Sequence, residues 1–320
     1  MLCLGAGETF PNACVQQWFH RRRGRAVGCV FTFQWLGNAV YGTVIAGVVA
    51  QSWHLAAGLG AVANLALAPL SALLLRRNPE VCGLVPDGWA AVEDEEVKEE
   101  LEERADARKF WAHFLFTFFY ALMFGGCDFY MLEMIAEASG TGAVSVSLHI
   151  FAPLAVASSM AVPTVGELMD GYSGHKRWLP SALLAVAGFL TGLVTLWLTS
   201  ISGWFSAVSY GVARGITAGI FQSLLSAGLC FSTLGVGRND IGRMLGYNQL
   251  STLVGTGVGP LWYGTCRDIF GSFRFSLVVS SLPTMLLGLF FAHQALQISK
   301  EVPAASVAMA PVMVGSKEEA

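Results

Sequence analysis

Residues 26–50 read AVGCVFTFQWLGNAVYGTVIAGVVA and contain no Asp, Glu, Lys or Arg. At about 1.5 Å of rise per residue, a helix of this length crosses a hydrocarbon core of about 30 Å. Residues 55–75, 178–200 and 275–292 are equally free of charge. Water is absent at that depth, so each run satisfies its backbone polar groups internally, as a helix. Only 13% of the chain is charged, against about 25% in an ordinary soluble domain. The class implied is an all-α integral membrane protein, with the lipid bilayer as a partner.

Nine spans are predicted: 2–19, 26–50, 54–75, 110–135, 143–165, 178–200, 203–232, 244–266 and 275–297. Basic residues favour cytoplasmic loops. One set of alternate loops holds Arg21, Arg22, Arg23 and Arg25, then Arg76, Arg77, Arg108 and Lys109, then Lys176 and Arg177, then Arg238 and Arg243, then Lys300; the other holds Arg267 and Arg274. The first set is therefore expected to be cytoplasmic. Residues 76–109, with Glu93, Asp94, Glu95, Glu96, Glu99, Glu100, Glu102 and Glu103, read as an acidic cytoplasmic linker, and residues 300–320 as a disordered cytoplasmic tail.

The seven cysteines stand singly, without C-x-x-C pairs or histidines at ligand spacing, so no metal or cofactor is expected. A net charge of −3 suggests no nucleic-acid partner. Oligomeric state is not legible. Glu8 precedes any Lys or Arg, the wrong charge order for a signal peptide.

A short pattern recurs. Gly24-Arg25-Ala26-Val27-Gly28 opens the second span and Gly242-Arg243-Met244-Leu245-Gly246 the eighth, with further glycines at Gly37 and Gly255. Recurrence at one topological position implies two homologous halves. In the second half four spans precede the motif and in the first half only one does, so symmetry predicts three more N-terminal spans than the chain shows, twelve in all. The expected domains are residues 1–75, the last three helices of a first six-helix bundle, and residues 110–299, a complete second bundle.

The chain resembles the major facilitator superfamily, and within it the branch of monocarboxylate and oxalate/formate porters. The residues that carry this are Trp18-Phe19-His20-Arg21-Arg22-Arg23-Gly24-Arg25-Ala26-Val27-Gly28, Asn78-Pro79-Glu80 with Gly83-Leu84 and Pro86-Asp87-Gly88, Gly166-Glu167-Leu168-Met169-Asp170 with His175-Lys176-Arg177, and Gly259-Pro260 with Asp268 and Gly271-Ser272-Phe273. The chain departs from the branch at Gly171, where an Arg is usual, and in span 143–165, which carries no cation. The resemblance implies a major facilitator fold and a secondary transporter working by alternating access. It also implies gating loops built from Gly166, Asp170, Lys176 and Arg177 and from Gly24, Arg25, Gly28, Gly242, Arg243 and Gly246. Asp170 is expected to meet a helix terminus or a basic residue of a neighbouring span.

Charges inside a bilayer cost about 2.5–3.5 kcal/mol each on insertion scales, so each is a candidate for function. Glu8, Asp128, Glu133 and Arg214 qualify. Counted from the predicted span ends, Arg214 and Glu8 lie near midplane, about 16 Å deep; Asp128 lies toward the outer face and Glu133 at the interface. Arg214 reads either as a fixed cation for an anionic substrate or as half of a structural ion pair, with Glu8 a candidate partner. Glu8 and Asp128 read either as proton sites, with a pKa raised by desolvation, or as charges that stabilise a helix end or an ion pair. His149 is expected at an interface, and Gly211, Gly215 and Gly219 are expected to admit a neighbouring helix closely.

An enzyme is not expected, because H-E-x-x-H, G-x-S-x-G and C-x-x-C are all absent. The function expected is transport of a small organic solute, an anion such as a monocarboxylate, with H⁺ as candidate coupling ion. The alternative is a transport-inactive sensor of the same fold.

Overall fold

The computed structural model describes residues 15, 18–19, 22–49, 52–74, 82–84, 107–139, 143–170, 178–226 and 241–308. The predicted span 2–19 with Glu8, most of the linker, and Lys176 and Arg177 lie outside the described residues. Eight long helices follow in order: α1 (Arg23–Val49), α2 (Trp53–Leu74), α3 (Ala107–Ser139), α4 (Ala143–Asp170), α5 (Leu179–Trp197), α6 (Gly203–Phe221), α7 (Ile241–Phe270) and α8 (Arg274–Ala308). A 3₁₀ turn, Leu198–Ser200, follows α5, and a π turn, Gln222–Ser226, ends α6.

Several helices outrun their predicted spans. Hydropathy marks only the lipid-facing part of a helix, whereas α3, with 33 residues, is about 50 Å long. Its ends project beyond any bilayer core. The tail expectation needs correction in part, because α8 runs past Lys300 to Ala308. Extending an existing helix avoids the nucleation cost that keeps an isolated peptide unfolded. Among the described residues four helices contain windows long and apolar enough to cross a membrane: Arg108–Met131, His149–Asp170, Leu179–Ser200 and Arg274–Lys300. Polar residues dilute other helices, and in α6 and α7 the structure turns many of these inward, with Arg214, Thr217, Asn248 and Ser251 all buried.

That inversion explains the packing. Phe33, Leu65, Phe205 and Leu261 point outward, while Thr117, Ser158, Thr195, Ser281 and Thr284 are buried. Lipid offers no hydrophobic drive for two helices to associate, so close backbone approach and interior hydrogen bonds hold the helices together. The tightest pairs are α3 with α7, α4 with α6, α5 with α8, and α1 with α4. The expected glycine stripe of α6 lies on α4. A Cβ at Gly211 would stand 2.5 Å from the Ile150 carbonyl oxygen, one at Gly215 2.8 Å from the Ala157 Cβ, and one at Gly219 2.7 Å from the Ala161 Cβ. Interior hydrogen bonds then tie helices across: Thr117 Oγ1 donates to Asn248 Oδ1 at 2.6 Å, and Ser158 Oγ to the Gly215 carbonyl at 2.9 Å.

Candidate functional site

The contact of α1 with α4 joins the two sides of the acidic linker in sequence. At its start, Asp170 closes α4 and meets the N terminus of α1. Its Oδ1 accepts the Gly24 N–H at 2.6 Å and its Oδ2 the Arg25 N–H at 2.8 Å. Both are among the first amides of α1, which have no partner within their own helix, and the helix dipole favours a carboxylate there. The approach is permitted by Gly24 and Gly166, since a side-chain carbon on either would overlap the other's carbonyl. Gly28 lies against Pro163, whose Cα would stand 2.8 Å from an added Cβ. Arg25 and Glu167 stand 3.8 Å apart and well exposed, a pair of small energetic weight. Further along, Thr32 Oγ1 donates to the Ser159 carbonyl at 3.0 Å, and Trp35 Nε1 to Gln222 Oε1 at 2.5 Å.

This seam holds Gln34 and Trp35 of α1 across a cavity of about 380 Å³ from α3, α4, α6 and α7. Tyr120, Phe124 and Asp128 of α3 line it, with Phe151 and Leu154 of α4, Phe221 and Gln222 at the end of α6, and Thr252 and Thr256 of α7. Among the described residues the lining combines aromatic rings, two amides, hydroxyls and a single carboxylate. Such a mixture, mostly apolar with a few placed polar groups, suits an organic solute.

The carboxylate is half of an ion pair. Arg214 Nη2 donates to Asp128 Oδ1 at 2.8 Å. The Arg214 side chain is 3% exposed and lies behind the lining, whereas that of Asp128 is 30% exposed and forms part of it. The guanidinium also sits 4.7 Å from the Phe124 ring centroid, a cation–π contact. The expectation that Asp128 lies nearer the outer face than Arg214 is corrected. Asp128 precedes the end of α3 at Ser139 by eleven residues, and Arg214 follows the start of α6 at Gly203 by eleven. The two are level; counting from a predicted span end missed the extra turn of α3. Asp128 is also the observed partner of Arg214, and Glu8 lies outside the described residues.

The remaining candidates are dispersed. Glu133 pairs with Arg267, both about half exposed. His149 is exposed, as expected of an interfacial position. Arg243 lies 3.4 Å from the Tyr247 hydroxyl on its own helix, and a Cβ at Gly246 would meet open space among the described residues. Among the described residues, Gly246 of the second G-R-x-x-G copy thus lacks the close contact that Gly28 of the first copy makes on α4. Sequence reading passed over Gln34, Trp35, Tyr120, Phe124, Phe221 and Gln222. The two amides, rare polar groups within apolar runs, were the available signal.

Comparison with curated proteins gives no match. A family model, the Major Facilitator Superfamily, matches residues 2–260 of the 320. With a long-helix architecture, apolar windows of membrane-crossing length and a cavity between segments on either side of the linker already in view, the chain belongs to the Major Facilitator Superfamily of multi-pass membrane transporters.

Proposed function

We propose that the protein is a secondary transporter of the monocarboxylate or oxalate/formate porter type, moving a small organic anion together with H⁺ by alternating access. The observation that carries this is the Asp128–Arg214 pair on the wall of the cavity. Empty, the pair is neutral, and the carboxylate stabilises a buried guanidinium that would be costly alone. A proton on Asp128 removes the carboxylate's claim on Arg214. The planar fork of the guanidinium then accepts the carboxylate of a substrate in its place, with two donors matched to two oxygens. The site is neutral again. Proton alone or anion alone leaves a net buried charge, so the neutral states, empty and doubly loaded, are the ones favoured to reorient. Coupling follows from charge balance.

Asp170 is assigned the gate. Its carboxylate bridges the end of α4 to the first amides of α1 and stabilises the arrangement in which the two segments are closed at that end. Opening there separates Gly24 from Gly166. The deciding experiment is uptake of labelled carboxylates into proteoliposomes with an imposed pH gradient. Uptake should rise with an inward H⁺ gradient and be nearly abolished in Arg214→Gln; unchanged uptake by that variant across several small carboxylates removes the anion reading.

A further inference from the structure

We propose that the cavity is shaped for a carboxylate that carries a flat aromatic ring, with the ring lying against the row formed by Phe124, Tyr120 and Phe221; this rests on the carboxylate reading of the Asp128–Arg214 pair. Three rings stand in sequence along the wall, with the Arg214 guanidinium behind the lining at the Phe124 end. The Arg214 guanidinium carbon is 4.7 Å from the Phe124 centroid, Phe124 is 5.8 Å from Tyr120 with 19° between the planes, and Tyr120 is 3.5 Å from Phe221 with 9° between them. The three rings all line the cavity, and the charged end of the row is where the pair waits for a carboxylate.

A two- or three-carbon acid held at Arg214 leaves most of the 380 Å³ unfilled, and the ring row untouched. Each ring of the row has a face committed to a neighbour. An incoming flat ring therefore meets an edge or an offset face, the two arrangements that aromatic pairs prefer. At the far end, Gln222 follows Phe221 directly. Its Oε1 is taken by Trp35 Nε1, and among the described residues its Nε2 has no hydrogen-bond partner. That amide offers a donor to an oxygen on the distal side of the ring. Anion site, aromatic wall and distal donor thus lie in one order.

The test compares four ligands of the protein reconstituted in liposomes: 3-phenylpropionate, 3-cyclohexylpropionate, propionate and the neutral 3-phenylpropan-1-ol. Binding is read from quenching of tryptophan fluorescence and transport from labelled uptake. The cyclohexyl acid has the same carboxylate and chain and is at least as hydrophobic, so only ring geometry separates it from the phenyl acid. The expected order is phenylpropionate tighter than cyclohexylpropionate by about 3- to 10-fold, the range aromatic pair energies give, with propionate weakest. Phe124→Leu should erase the phenyl preference, so that the phenyl and cyclohexyl acids bind alike, and Tyr120→Leu should do the same if the first variant folds poorly. Equal binding of the phenyl and cyclohexyl acids overturns the ring inference and leaves the carboxylate reading standing, as does uptake of propionate with neither ring acid bound. Phenylpropanol binding as tightly as phenylpropionate removes the carboxylate reading instead, with the ring preference intact.

Discussion

Two carboxylates on one helix, Asp128 and Glu133 of α3, each meet an arginine from a different helix, yet the pairs differ in nearly everything that sets their worth. Asp128 holds Arg214, whose side chain is 3% exposed, whereas Glu133 and Arg267 are 51% and 44% exposed. Five residues along a helix are about 7.5 Å, enough to pass from the bundle interior to its rim. At the rim water solvates either charge alone, and the pair adds little. In the interior the buried guanidinium depends on Asp128 for its counter-charge, and a ligand that displaces Asp128 must supply another. A site that must exchange a partner belongs in the second environment.

The largest effect is expected at Arg214. Arg214→Gln strands the Asp128 carboxylate, and breaking one side of a buried pair costs about 3–5 kcal/mol. Thermal unfolding in detergent should show a much less stable protein, and uptake should be nearly lost. The double variant Arg214→Gln with Asp128→Asn removes both charges and should recover much of the stability but not the uptake. If the single variant is as stable as the native protein, the interior pair is no different from the rim pair.

Asp128→Asn sharpens the distinction between pairing and coupling. The amide cannot take up a proton, and it leaves Arg214 permanently available. Substrate exchange across the membrane should persist while accumulation driven by an H⁺ gradient is lost. Loss of exchange and accumulation together would make Asp128 a purely structural partner.

Asp170 occupies a third environment, partly buried at a helix N terminus rather than opposite an arginine side chain. Asp170→Asn keeps one acceptor and loses the charge facing the dipole, a change of about 1 kcal/mol. Membrane insertion should be unchanged and transport reduced several-fold; native flux at native expression would remove the gate.

These positions were unevenly legible in the chain. Charge-free runs marked the helices, because lipid forbids charges on the outside whatever the fold. Asp170 was legible through its place at the end of Gly166-Glu167-Leu168-Met169-Asp170, and the structure brings it to a helix terminus. Arg214 and Asp128 stood out as intramembrane charges, but their partnership did not. Hydropathy reports where a helix enters lipid and not where it stops, so α3 and α6 were given different zero points and the pair different depths. The aromatic row was hidden for another reason. In an apolar span Phe124 and Phe221 look like lipid-facing bulk, and only the tertiary structure stacks Tyr120 between them, with Phe124 on one side and Phe221 on the other.

The smallest effect is expected at the rim. Glu133→Gln removes the partner of Arg267, but both side chains are half exposed and Arg267 keeps a second contact, 4.8 Å over the Phe273 ring. Exposed pairs contribute about 0.2–1 kcal/mol and are screened by salt. The variant should unfold within a few degrees of the native protein, the difference should shrink as salt is raised, and uptake and its dependence on the H⁺ gradient should both be native. A loss of stability like that of Arg214→Gln, or a change in coupling, would show that the rim pair also reports to the cavity; burial would then no longer separate the two carboxylates, and Asp128 would lose its special claim to the proton.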